Sequence, residues 1–140
     1  MNKRVYERNI NYYETDQMQV VHHSNYIRYF EEARISYLND CGLPYAQMEE
    51  MGVMIPVLSV DAEYKTMTRF GDTIEIELGF TSYDGLRFTV SYVIRDKESG
   101  EVRCTGNSKH CFLKKDGKPV MVRKKFPKIH EVMMRECDMD

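Results

Sequence analysis

The clearest pattern along the chain is strict alternation of apolar and polar positions. Ile74, Ile76, Leu78 and Phe80 are interleaved with Thr73, Glu75, Glu77 and Gly79. After a turn at Ser82 to Gly85, the alternation resumes with Leu86, Phe88, Val90, Tyr92 and Ile94. A period of two marks a strand with one buried and one wet face, so two consecutive antiparallel strands are predicted. Asp96 to Gly100 reads as a further connection and Glu101 to Leu113 as a long strand. Asp116-Gly117 is a short-turn signal ahead of a last strand, Pro119 to Val122. Toward the N-terminus, Val5 to Tyr13 is rich in β-branched and aromatic residues and predicts a first strand. Within Val53 to Lys65, Val57, Leu58 and Val60 are apolar on neighbouring positions, which predicts a strand buried on both faces. Arg69 to Asp72 reads as a turn.

A second period governs the stretch after His23. Tyr26, Phe30, Ala33 and Tyr37 recur three and four apart, with Ile27, Arg34, Leu38 and Cys41 in the adjoining row. Ser24 or Asn25 can cap such a helix, and Gly42 followed by Pro44 stops it. At about 1.5 Å per residue its length is roughly 25 Å. The apolar face is wider than one stripe, which predicts a helix wrapped by other elements. Pro44 to Met51, closed by Gly52, predicts a short helix, and Pro127 to Cys137 another with Ile129, Val132 and Met133 on one side. Strand, long helix and antiparallel meander make an α+β fold, with the sheet curved around the helix. A sheet of this kind has two exposed edges, and dimerisation edge to edge covers one of them.

Composition narrows the possibilities. The 140 residues are enough for one domain, spanning 1–140, with a real core. With 42% hydrophobic and 30% charged residues and a net charge of −2, nothing pulls the chain toward nucleic acid. No apolar run approaches the ~20 residues of a membrane span. The N-terminus, MNKRVYERNINYY, lacks the apolar core of a secretion signal, so a cytoplasmic protein is expected. Cys41, Cys104, Cys111 and Cys137 form no CxxC pair and are expected as reduced thiols. The ten methionines suit a pliable core. His22, His23, His110 and His130 show no ligand spacing, and the adjacent His22 and His23 side chains are expected to diverge, so no metal is expected.

The candidate chemistry lies between Tyr12 and Arg34. A polar turn carrying Thr15, Asp16, Gln17, Gln19, His22 and His23 leads into the start of the long helix. A helix N-terminus presents unpaired N–H groups and the positive end of the macrodipole, which can hold an oxygen that turns negative during a reaction. A carboxylate beside such donors suits acyl transfer. The same residues also suit a plain solvated turn that Asp16 caps, and residue types alone leave both readings open. Glu31 and Arg34 stand three apart and are expected to form an ion pair. From Lys114 to Lys128 there are seven cations against the single acid Asp116, either a solvated face or a strip for phosphates. Lys65, Arg69 and Arg87, near strand ends, are further phosphate candidates.

The order of elements, with T-D-x-x-x-V-V-x-H-x-x-Y and then F-E-x-A-R, resembles the hotdog-fold acyl-CoA thioesterases, in particular the group typified by 4-hydroxybenzoyl-CoA thioesterase and the YbgC-like enzymes. The resemblance is carried by Thr15-Asp16, Val20-Val21, His23, Tyr26, Phe30-Glu31 and Ala33-Arg34. It implies that Asp16 is nucleophile or general base on a thioester and that the His23 amide polarises the thioester carbonyl. It also implies that Tyr26 lines the acyl pocket, that the 53–65 strand of a partner chain completes it, and that the protein is a homodimer or tetramer. Coenzyme A enters as part of the substrate, with no separate cofactor. Where this family usually has glycine the chain has Gln19, which implies an altered turn or a side-chain amide projecting into the site. Gln19, His22, Tyr26, Lys65, Arg69 and Arg87 are the expected substrate-binding residues. Some hotdog enzymes use a helix glutamate, which brings in Glu31 and Glu32. The alternative is a non-catalytic hotdog module that binds acyl-CoA, acyl carrier protein or a small ligand. A hotdog dehydratase expects a histidine acid–base, and Asp16 argues against it.

Overall fold

In the computed structural model, which describes residues 2–137, the alternating runs form the middle of a five-stranded antiparallel sheet. Its strands are β1 (Lys3–Asn9), β3 (Val57–Tyr64), β4 (Thr73–Tyr83), β5 (Arg87–Asp96) and β6 (Val102–Cys111), in the spatial order β1-β4-β5-β6-β3. Two short strands, β2 (Val53–Met54) and β7 (Leu113–Lys114), pair apart from it. The helices are α1 (Ser24–Asp40), α2 (Tyr45–Met51), α3 (Val122–Lys125) and α4 (Pro127–Glu136).

The inward side chains of β4 (Ile74, Ile76, Leu78, Phe80) and of β5 (Phe88, Val90, Tyr92, Ile94) are fully buried, as the alternation requires. They form one core with Tyr26, Tyr29, Phe30, Ala33 and Tyr37 of α1. Helix and sheet come close together at Gly106, which stands opposite Tyr92 in the β5–β6 register. The Phe30 ring stacks on Tyr92 at 4.3 Å between centroids. A Cβ at Gly106 would overlap both the Phe30 ring and the Asp61 carbonyl of β3. The missing side chain is what lets α1 touch the sheet. At the far end, the Tyr37 hydroxyl lies 2.9 Å from Glu136 Oε1, joining α1 to α4.

Several expectations change. The first strand ends at Asn9, and Tyr12–Glu14 form a 3-10 turn because the Asn11 amide donates to the Glu14 carboxylate at 2.8 Å. The 53–65 segment is broken around Pro56 into β2 and β3. β3 is not buried on both faces: it is the sheet's edge, with Val57, Leu58 and Val60 each more than a third exposed. The Glu101–Leu113 strand is interrupted at Phe112, and Pro119 makes one bridge to Leu113 before Val122 starts α3, so no strand covers 119–122. The curved sheet covers the long helix on its Ala33 side, and the opposite face of the helix stays exposed. At about 100° per residue, Ile27 and Ile35 fall on the face away from Ala33, and both are exposed. Arg34 does not pair with Glu31. It turns inward, its Nη1 donating to the Tyr92 hydroxyl at 3.2 Å, while Glu31 is exposed. The helices at 45–51 and 127–136 lie where expected, with Gly52 in the left-handed region closing the first and Ile129, Val132 and Met133 buried on the second.

The Arg34–Tyr92 contact opens a buried polar row. Tyr92 and Ser108 hydroxyls lie 2.6 Å apart, Ser108 Oγ is 2.7 Å from His110 Nε2, and His110 Nδ1 is 3.1 Å from the Pro56 carbonyl. A carbonyl only accepts, so Nδ1 carries the imidazole proton and Nε2 accepts from Ser108. Burial, with Arg34 nearby, pushes the His110 pKa down from 6.5 to about 4. An unfolded chain therefore takes up this proton before the folded one does, and stability falls as pH drops from 6.5 toward 4. Between pH 6.5 and 5 the carboxylates scarcely titrate, which isolates the histidine. Thermal unfolding of the wild type is expected to shift downward across that window, and His110→Gln is expected to flatten the shift. An equal slope in both proteins would refute the assignment.

Candidate functional site

The polar turn folds as a miniature hairpin. Thr15 bridges Val21, the Asp16 amide donates to the Val20 carbonyl at 2.9 Å, and the Gln19 amide donates back to the Asp16 carbonyl at 2.9 Å. The hairpin is anchored to the 65–72 loop by a Val20–Arg69 bridge and by the Val21 amide on the Thr68 carbonyl. Asp16 is half-buried, and its Oδ1 accepts from the Met18 amide at 2.8 Å. Among the described residues Oδ2 has no partner, so the carboxylate is oriented by one oxygen and open at the other. Gln19 sits at φ +64, the left-handed region. A conformation that glycine adopts freely is thus held by a residue with a side chain, at a cost of roughly 1 kcal/mol.

Helix α1 begins immediately after. His23 occupies the cap position with no side-chain cap bond, and neither Ser24 nor Asn25 caps it. The amides at this end are nearly all taken. His22 N–H donates to the Glu14 carbonyl at 2.9 Å, Ser24 N–H to His22 Nδ1 at 3.2 Å, Asn25 N–H to the His22 carbonyl at 2.9 Å, and Tyr26 N–H to the His23 carbonyl at 3.3 Å. Among the described residues the His23 N–H alone in this run has no acceptor. The two histidine side chains do not diverge: their rings stack at 4.2 Å, because His22 is turned back to reach Ser24.

His23 opens onto a cavity of about 260 Å³ lined also by Val21, Tyr26, Tyr64, Lys65, Thr66 and Met67. Tyr26 is buried, its hydroxyl donates to Thr68 Oγ1 at 3.1 Å, and its ring lies 5.4 Å from that of Tyr64. Burial pushes the Tyr26 hydroxyl above its ordinary range, so it stays neutral. Lys65 lies at the cavity wall near Glu63, and Arg69 is exposed beside the hairpin. Arg87 is elsewhere. It lines a second cavity, of about 410 Å³, with Leu58, Tyr83, Asp84, Lys109 and His110 among the other walls. Glu32 is committed to Arg8 and Tyr6, and Glu31 stands outside the cavity linings. Among the described residues no three His, Cys, Asp or Glu side chains group as a metal site. Tyr64, Thr66 and Met67 were not singled out in the sequence. An aromatic ending a strand next to Lys65 was the one available signal.

Relief of the left-handed strain is directly measurable. Gln19→Gly is expected to raise the unfolding free energy by up to about 1 kcal/mol, after allowance for the extra chain entropy of glycine. A drop in stability would show that the Gln19 side chain makes a compensating contact.

Comparison with known proteins places this geometry in a family. The model of the thioesterase-like superfamily matches residues 10–136. A protein of Aquifex aeolicus, provisionally named an esterase, is 38% identical over 120 residues, which is 86% of this chain and 91% of the relative. YneP of Bacillus subtilis, provisionally named an acyl-CoA thioesterase, is 34% identical over 122 residues, covering 86% and 88% of the two chains. The crystal structure of a DHNA-CoA thioesterase from Staphylococcus aureus superposes with a TM-score of 0.90 at 32% identity, covering 96% of this chain and 91% of that one. The matched span holds the hairpin, α1 and the whole of the sheet from β3 to β6, so this chain belongs to the thioesterase-like superfamily and has its hotdog fold.

Proposed function

We propose that this protein is an acyl-CoA thioesterase that hydrolyses a small acyl- or aroyl-CoA, with Asp16 as nucleophile or general base and the His23 amide as oxyanion donor. The observation that carries the reading is the one N–H at the positive end of α1 that has no acceptor among the described residues, on a residue that lines a cavity, with a half-open carboxylate in the adjoining hairpin. In this reading the thioester carbonyl accepts from His23 N–H, and charge on its oxygen is stabilised as the tetrahedral centre forms. Asp16 Oδ2 either attacks the carbonyl carbon or takes a proton from the attacking water. The C–S bond then breaks and the thiolate leaves. A thiol has a pKa of about 8.5, so departure needs little acid assistance. In the first route water cleaves the resulting anhydride. The rings of Tyr26 and Tyr64 with Met67 offer an apolar wall for the acyl group, and the names of the relatives accord with such a substrate.

The edge strand supports a homodimer. Val57, Leu58, Val60 and Tyr64 are exposed, and among the described residues the outer side of β3 has no strand partner. Antiparallel pairing of β3 with a second copy covers this edge. It also sets the Val57–Leu58 end of one copy across from the Tyr64 end of the other. The larger cavity of one copy, with Arg87 and Lys109, then adjoins the His23 cavity of its partner. Arg123 belongs to the same neighbourhood, since the Val122 amide donates to the Gly85 carbonyl at 3.0 Å. These cations suit the phosphates of coenzyme A, with Lys65 and Arg69 on the other wall. The free thiols accord with a cytoplasmic location.

The competing reading is a non-catalytic hotdog module that binds acyl-CoA, acyl carrier protein or a small ligand. Turnover separates the two readings. Thiol release from a panel of aliphatic, phenylacetyl and hydroxybenzoyl thioesters of coenzyme A is expected from the wild type, and Asp16→Asn is expected to slow it by about a hundredfold or more. Binding of these thioesters without release from any of them would establish the module instead. A monomer in sedimentation at micromolar concentration would contradict the shared pocket.

A further inference from the structure

One carbonyl links the two halves of the site. Glu14 stands two residues before Asp16, and Asn25 two residues after His23. The Asn25 side chain, itself buried, donates through Nδ2 to the Glu14 carbonyl at 2.9 Å. The same carbonyl receives the His22 N–H at 2.9 Å. A carbonyl oxygen offers two lone pairs, and both are used. Among the described residues the neighbouring His23 N–H has no acceptor. Glu14 is held in turn by its side chain, which is buried. Its Oε1 accepts from Arg8 Nη1 at 2.6 Å and from the Asn11 amide at 2.8 Å. The rest of the Arg8 guanidinium grips Glu32 in α1, Nε to Oε1 at 2.9 Å and Nη2 to Oε2 at 3.3 Å. Tyr29, fully buried, lies beneath the guanidinium at 4.4 Å. Burial alone would raise the Glu14 carboxyl, but Arg8 and the Asn11 amide outweigh it and hold it below the ordinary range.

We propose that Asn25 is a positioning residue for thioester hydrolysis, and that with the Arg8–Glu14 pair it fixes the Asp16 hairpin against the end of α1 that presents the His23 amide. This rests on the roles of Asp16 and His23 proposed above. Asn25 touches neither substrate nor the reacting atoms. It saturates the Glu14 carbonyl and sets the spacing between carboxylate and oxyanion donor. Displacement of a reacting group by about 1 Å costs on the order of a hundredfold in rate. Binding of coenzyme A depends on other residues, so the effect belongs to kcat.

The test compares Asn25→Asp, Glu14→Gln and Asp16→Asn with the wild type on one thioester from the panel above. It records kcat, KM, inhibition by free coenzyme A, and thermal unfolding. Asn25→Asp keeps the side chain's size, removes the N–H donor and sets a carboxylate against the Glu14 carbonyl. It is expected to lower kcat at least tenfold per folded molecule, with KM and coenzyme A inhibition within about threefold of the wild type. Glu14→Gln keeps the acceptor for Asn11 and loses the charge held by Arg8. It is expected to lower kcat by about threefold or more with KM unchanged, and it carries the test if Asn25→Asp fails to fold. Unchanged kcat per folded molecule, or a loss matched by rising KM and weakened coenzyme A inhibition, would overturn the proposal. Full turnover by Asp16→Asn would instead remove the assigned role of Asp16, and the positioning role with it.

Discussion

The fold turns on the contact between Phe30 and the backbone of Gly106. A ring stacked on Tyr92 and resting where a side chain is missing fixes how close α1 lies to the sheet. Because α1 is one rigid rod, that contact at its seventh residue also fixes where its N-terminus stands. The helix end then meets the 65–72 loop through Tyr26 on Thr68, and meets the hairpin through Asn25 on Glu14. Sheet, helix end and hairpin are thereby registered to one another through buried groups, which are the ones that hold position most firmly.

At the site itself, the amides around the start of α1 have named acceptors with one exception among the described residues. His22, Ser24, Asn25 and Tyr26 each give their N–H to a specific atom, and the two lone pairs of the Glu14 carbonyl are both consumed. What is left is one donor, at the end of a seventeen-residue helix whose dipole favours negative charge there. The Asp16 carboxylate is treated in a parallel way, with one oxygen tied to the Met18 amide. Thiolate departure is easy, and the demanding step is stabilising the oxyanion.

Much of this was legible in the residues, for physical reasons that also mark the limits. The β4 and β5 alternation and the extent of α1 depend on local periodicity, so they could be read directly. The placing of Asp16 and His23 in a polar turn at the start of α1 could be read because turn and helix start lie within one continuous stretch. The position of β3 could not. Its apolar run looks like a doubly buried strand, but whether Val57, Leu58 and Val60 are covered depends on strand order across the whole sheet. Arg34 was assigned to Glu31 by helical spacing, and the Tyr92 hydroxyl, fifty-eight residues away, competes successfully for it. Asn25 was read as a local cap, when its partner is the carbonyl of a residue across the hairpin. Gln19 in the left-handed region was hidden because that conformation is rare outside glycine.

The most direct test of the account is a crystal structure of the Asp16→Asn protein with a non-hydrolysable acyl-CoA analogue. The account predicts the analogue's carbonyl oxygen within about 3 Å of the His23 amide nitrogen, with residue 16 beside the carbonyl carbon. A carbonyl bound away from the end of α1, with the His23 amide still unpartnered, would contradict it.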